Sequence, residues 1–168
     1  MGELSNAVGS GFAEYFDRIG AKVHEWTDPL SEEQLWTNPF SYGNDIGHLL
    51  LHLTGNLNYY IGTRIAASGY VRDRDREFAE TARPSKQQVL QSFDRAIALA
   101  AETARKQSAE DWCQEYSAAG VTSKNRFAIV LDCAAHADHH VGQIINLSRE
   151  LTSGHAGRAA SSSNHRPI

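Results

Sequence analysis

A chain of 168 residues with a net charge of −4 has the length of one domain and can bury a core without disulfides or a structural metal. Hydrophobic residues make up 41% and charged residues 21%, with no basic excess to hold a phosphate backbone, which argues against nucleic-acid binding. No apolar run reaches the roughly 18 residues that a membrane span needs, which argues against a membrane role.

The opening, MGELSNAVGSGFAEYF, has an early Glu and no continuous apolar stretch of the secretory type, so a cytoplasmic location is expected. Leu4, Val8, Phe12, Phe16, Ile19, Val23 and Trp26 recur at three- and four-residue steps, which predicts a long helix over 3–27, weakened near its start by Gly9 and Gly11. Ser31 and Gln34 form a capping-box pair for a short helical turn, and Pro39 then breaks the chain. A second helix is expected over 44–68, with Asn44 as its N-cap and Asp45 on the positive end of its dipole. Apolar residues surround this segment, which places it centrally. The Arg/Asp alternation of GYVRDRDREFAETARP reads as a long solvated connection. Ser85 and Gln88 cap a third helix over 85–106. Residues 112–123 read as a short hairpin or extended loop. A fourth helix covers 124–151, and the Gly/Ser/Ala-rich residues beyond Thr152 read as a flexible tail, giving a domain over 1–152 and a tail over 153–168. The two cysteines, Cys113 and Cys133, lie far from any CxxC pattern and read as reduced thiols.

Four long helices around one core make an all-α four-helix bundle, an architecture that builds metal sites from side chains on facing helices. The histidines bear on this. His136 and His140 lie at i, i+4, about 40° apart around a helix and about 6 Å along it, so both rings can reach one ion. His139 is turned about 100° from His140 and competes only as a partner of His136. Cys133 is about 10.5 Å along the axis from His140, too far to share an ion with it, and reads as packing. A further ligand has to come from another helix, and GHLLLHLTGN offers His48 and His52, again at i, i+4. An imidazole among Leu49, Leu50, Leu51 and Leu53 costs free energy unless it is hydrogen-bonded or ligated. A lone His on an apolar helix is more often a satisfied core residue than a ligand. Two such pairs on central helices favour a metal. Imidazole suits Zn, Ni, Fe or Cu, with Zn and Ni foremost, and three protein ligands would leave coordination positions open.

LSEEQLWTNP, NDIGHLLLHLTGNL and HADHHVGQI together resemble the motifs of the DinB-like (DinB/YfiT-like) family of four-helix-bundle metalloproteins. The resemblance spans about residues 4–151. It implies an up-down-down-up bundle with a long crossover, supplied here by residues 69–84, and a three-histidine metal site at His52, His136 and His140. His48 stands where the family has an apolar or aromatic residue, and it is read as a fourth ligand, a donor to a ligand, or a substrate contact. His139 falls on a variable position with a surface or interface role. Gly142 and Gln143 match the Gly-Gln of the motif, with Gly142 expected to allow close helix approach. The resemblance further implies a metal-dependent enzyme of the thiol-transferase type, with a low-molecular-weight thiol as a small-molecule partner. A metal-dependent hydrolase and a non-enzymatic metal-binding stress-response module are the alternatives. No catalytic residue is assigned, because no Glu stands beside these motifs as a general base. Asp132, one turn before His136, is a candidate to orient an imidazole, with a solvent-facing role as the simpler reading. Asn56 and Tyr59 are candidate pocket residues, and Tyr59 and Tyr60 also fit a plain core or rim role. Apolar helix faces make a homodimer plausible.

Overall fold

The computed structural model describes residues 2–161, with side chains through residue 153. Four long helices form the bundle: α1 (Glu3–Thr27), α3 (Ile46–Leu57), α5 (Lys86–Arg105) and α7 (Arg126–Ser161). Three short helices join them: α2 (Glu32–Leu35), α4 (Arg74–Ala79) and α6 (Ala109–Cys113). The only extended pairing among the described residues is an isolated antiparallel bridge between Glu115 and Asn125, where a hairpin or loop was expected.

Side-chain pairs between helices give their directions. Asp17 meets Arg105 and His24 meets Asp94, so α1 and α5 are antiparallel. Lys22 meets Asp138 and the Ser148 hydroxyl donates to the Trp26 carbonyl, so α1 and α7 are parallel. Leu49 shares a cavity with Leu147, and Asn56 shares another with Ile129, so α3 runs against α7. The long helices therefore run up, down, down and up. Phe16, Phe93, Leu50, Leu53, Ile129 and Ile144 are fully buried between them. Burying each such side chain contributes about 1.5–3 kcal/mol.

The first helix follows its predicted stripe except at Leu4, which is 78% exposed. Gly9, expected only to weaken the helix, is instead a contact point. A Cβ there would lie 2.6 Å from the Ala104 carbonyl oxygen, so the glycine lets α1 and α5 approach backbone to backbone. Capping boxes form at Ser31–Gln34 and Ser85–Gln88, as their spacing predicts.

The second helix departs from expectation at both ends. Asp45, not Asn44, caps it, because the Asp45 carboxylate accepts hydrogen bonds from both the His48 backbone and the His48 ring. At the other end the helix widens into a π-helical turn over Asn58–Thr63. The connection from 69 to 84 is not a plain solvated loop, since it contains α4, capped by the Asp73 side chain, and buries Glu77. The last helix continues to Ser161, and the rest of the tail expected over 153–168 lies outside the described residues. Among the described residues, no helix is long and apolar enough to cross a membrane.

Candidate metal centre

The antiparallel pairing of α3 and α7 brings His52 opposite the His136/His140 pair. The ring centroids are 4.5 Å apart for His136–His140, 5.1 Å for His52–His136 and 5.2 Å for His52–His140. One nitrogen from each ring lies within 4.8 Å of the other two, so the three rings are placed to hold a metal ion. His52 is 6% exposed, while His136 and His140 are half-buried and border cavities.

Each outer ring nitrogen of the His52 and His140 pair has a partner that sets its tautomer. His52 Nδ1 donates to Glu77 Oε2 at 2.9 Å, which leaves Nε2 with its lone pair. His140 Nδ1 donates to Gln143 Oε1 at 2.7 Å, with the same result. His52 Nε2 lies 2.9 Å from His136 Nε2, so without a cation one proton must sit between them, on His136. A cation that takes both lone pairs displaces that proton. Three converging imidazole nitrogens, two of them on rings whose outer nitrogen is hydrogen-bonded, are a donor set that fits a divalent transition metal.

Glu77 is held in turn by Arg72, whose Nε lies 2.6 Å from Oε1 and whose second guanidinium nitrogen lies 2.8 Å from Oε2. Burial works against the Glu77 charge, yet the hydrogen bonds from Arg72 and His52 outweigh it and hold the carboxyl below the usual glutamate range. The crossover reaches this position through a gap in α3. A Cβ on Gly55 would lie 2.0 Å from Glu77 Oε1. Because that oxygen is pinned by Arg72, it cannot swing aside freely. Gly55→Ala is therefore expected to destabilise the fold by about 1–3 kcal/mol, measured by urea unfolding. An unchanged midpoint would show that the carboxylate is not fixed there.

Burial lowers the His136 pKa to about 4, helped by the adjoining His140 and His52 rings. Burial also lowers that of His140, against the opposing hydrogen bond to Gln143. Both rings are thus neutral near pH 7, the form that binds metal. The unfolded chain takes up these protons near the ordinary value of 6.5, whereas folded His136 takes one up only near 4. Between those values the unfolded state binds more protons, so stability falls as pH falls. Metal-free protein should lose stability from about pH 6.5 to about pH 4, and His136→Ala should flatten that slope in denaturant titrations run across the range.

Among the described residues, His48 and His139 do not join the cluster. The His48 ring is engaged by Asp45 Oδ1 at 2.8 Å and the Glu80 carbonyl at 3.3 Å, outside the cluster. This leaves no ligand role for His48 in the arrangement. His139 is exposed. Asp132 accepts the Ser123 hydroxyl at 2.5 Å, and the orienting role considered for it falls to Glu77. Burial raises the Cys133 pKa to about 12, so this thiol stays protonated as a packing group. Gly142 is exposed with nothing near its missing Cβ, so it does not serve close helix approach.

Sequence reasoning missed Glu77, Arg72 and the tautomer role of Gln143. The available signal was the Asp73 cap followed by Phe78 and Ala79 inside a charged run. Phe78 packs on His52 with ring centroids 4.8 Å apart. The π-helical turn supplies a further element, because it carries Tyr60 beneath the Arg72 guanidinium at 5.5 Å.

A cavity of about 580 Å³ opens beside the rings, lined by His52, His136, Asn56, Tyr60, Arg74 and Asp132 among others. Asn56 is 8% exposed, and its Oδ1 has no hydrogen-bond partner among the described residues. Tyr59 is half-buried, with its ring against Tyr60.

No curated protein matches the chain. A crystal structure of a conserved protein from Enterococcus faecalis is similar over 87% of this chain and 98% of that one, with a TM-score of 0.71 and 15% identity, a likeness of fold. Residues 15–144 match the family model described as the DinB superfamily. That match takes in most of the bundle and all three clustered histidines, and the chain belongs to the DinB superfamily.

Proposed function

We propose that the protein binds one divalent ion, Zn or Ni, through His52, His136 and His140 and uses it in a thiol-transfer reaction. The observation that supports this reading most is the convergence of three ring nitrogens beside a cavity able to admit a small molecule. Such an ion, when bound, lowers the pKa of a coordinated thiol and so supplies a nucleophile near neutral pH.

The protein's own residues prepare that site. Glu77 and Gln143 fix two imidazoles with their lone pairs turned inward. Arg72 keeps Glu77 ionised and immobile. Asn56, buried with an unpaired carbonyl oxygen, offers an acceptor to a ligand N–H or O–H. Ile129 and Val121 add apolar wall to the same cavity.

The test is a comparison of thiol-conjugate formation with ester and amide cleavage, each with defined Zn or Ni and each repeated after chelation. Metal-dependent conjugation supports the transferase reading. Metal-dependent cleavage alone replaces it with a hydrolase. Neither reaction, on protein that nonetheless retains a metal, assigns the ion a non-enzymatic role.

A further inference from the structure

The histidine cluster borders a second cavity through His140. It measures about 590 Å³ and is lined by Phe40, Tyr42, Leu49, His140, Gln143 and Leu147, among others. Along α7 the first cavity takes residues 129–136 and the second takes residues 140–153. Along α3 the first takes His52, Asn56 and the following Tyr60, and the second takes Leu49. The histidine cluster therefore stands between the two, with His136 bordering one and His140 the other.

The loop before α3 builds the second cavity's aromatic wall. The Asn38 side chain donates to the carbonyls of Tyr42 and Gly43 at 2.9 and 3.1 Å, and accepts from the Phe40 backbone at 2.9 Å. Gly43 has a φ of 77°, which suits glycine and lets the loop turn into the helix. This staple presents Phe40 and Tyr42 with rings stacked at 5.6 Å and 16° between planes. The rings remain 37% and 75% exposed, an arrangement that leaves aromatic surface in water beside a cavity. Leu49 and Leu147 add buried apolar wall. Arg149 and Glu150 contribute one charge of each sign, and the Arg149 guanidinium already lies over the Trp26 ring at 4.9 Å. Asn44, Asn146 and Ser153 add polar groups to the same wall, so the lining favours flat aromatic ligands that carry a polar substituent and no net charge.

We propose that the cavity between the Phe40/Tyr42 loop and His140 is a binding site for an uncharged aromatic molecule, seated beside the histidine cluster on the side opposite the first cavity. Its role as the seat of a second reactant rests on the transferase reading, but its preference for aromatic ligands does not. A first reactant in the other cavity and an aromatic one here then approach the histidine cluster from opposite sides, past His136 and past His140.

The test uses 1-naphthol and its saturated counterpart decahydro-1-naphthol, titrated calorimetrically into the full chain loaded with Zn. Naphthol is expected to bind at least about tenfold more tightly, since each aromatic contact adds 0.5–1.5 kcal/mol beyond buried area and 1.4 kcal/mol is tenfold. The Phe40→Ala/Tyr42→Ala double variant should lose about tenfold in naphthol affinity with metal content unchanged. Tyr42→Ala alone, at an exposed position that folding does not need, should lose about threefold. Intermolecular NOEs should connect naphthol to the His140 ring protons in Zn-loaded protein. Equal affinity for the two probes, full affinity in the double variant, or NOEs that bypass His140 would each overturn the site. Metal uptake is measured separately, so naphthol selectivity without metal binding would leave this site standing and remove the transferase reading.

Discussion

His136→Ala is expected to reduce bound divalent metal from about one ion per chain to a small fraction of that. Losing an outer-sphere partner typically costs 10–100-fold in metal affinity, and losing a ligand nitrogen should cost at least the upper end, about 100-fold or 2.8 kcal/mol. Among the described residues His136 supplies one of three converging nitrogens, and the two that remain sit on different helices. The deletion also removes the 2.9 Å contact between His52 and His136, leaving His52 Nε2 without that partner. Elemental analysis of protein purified without a polyhistidine tag measures the outcome directly. His139→Ala, at an exposed neighbouring ring, is the matched control and should retain its metal. Equal metal content in both variants would mean that the three rings do not form the binding site.

Glu77→Ala is expected to produce the largest loss of stability, about 3–5 kcal/mol, because it strands a buried guanidinium. The side chains of Arg72 and Glu77 are 8% and 5% exposed, so solvent cannot replace the lost partner without local opening. The same substitution frees the His52 ring, and a further 10–100-fold drop in metal affinity should follow. The two effects can be separated. Arg72→Met with Glu77→Leu removes both charges, and its stability should recover most of the loss while metal affinity stays low. Urea unfolding and competition with a chelator provide the two readouts. If the double variant regains full metal affinity, then Glu77 serves the fold and not the site.

The bundle was legible because its determinants are local and periodic. The stripe through Phe16, Ile19 and Val23 and the Ser85–Gln88 box each specify a helix within a few residues of chain. The i, i+4 spacing of His136 and His140 marked one side of the cluster for the same reason, while the choice of His52 over His48 needed the family resemblance. In the structure the His52 ring joins the other two, whereas His48 turns to Asp45. What escaped depends on long-range fit. Glu77 sits in a charged run that looks solvated until Gly55, far earlier in the chain, leaves room for it against α3. Gln143 looked like part of a motif without a role until the His140 ring was placed beside it. The N-cap was misplaced by one residue because Asn44 and Asp45 are both good caps, and only the folded His48 ring distinguishes them.

The Arg72–Glu77 pair comes from the crossover and not from any long helix of the bundle. Short peripheral segments open more readily than bundle helices, so the crossover can lift away while the four long helices stay folded. For an ion held by the three rings, opening of α4, a helix of six residues, would release the His52 ring from Glu77 without global unfolding.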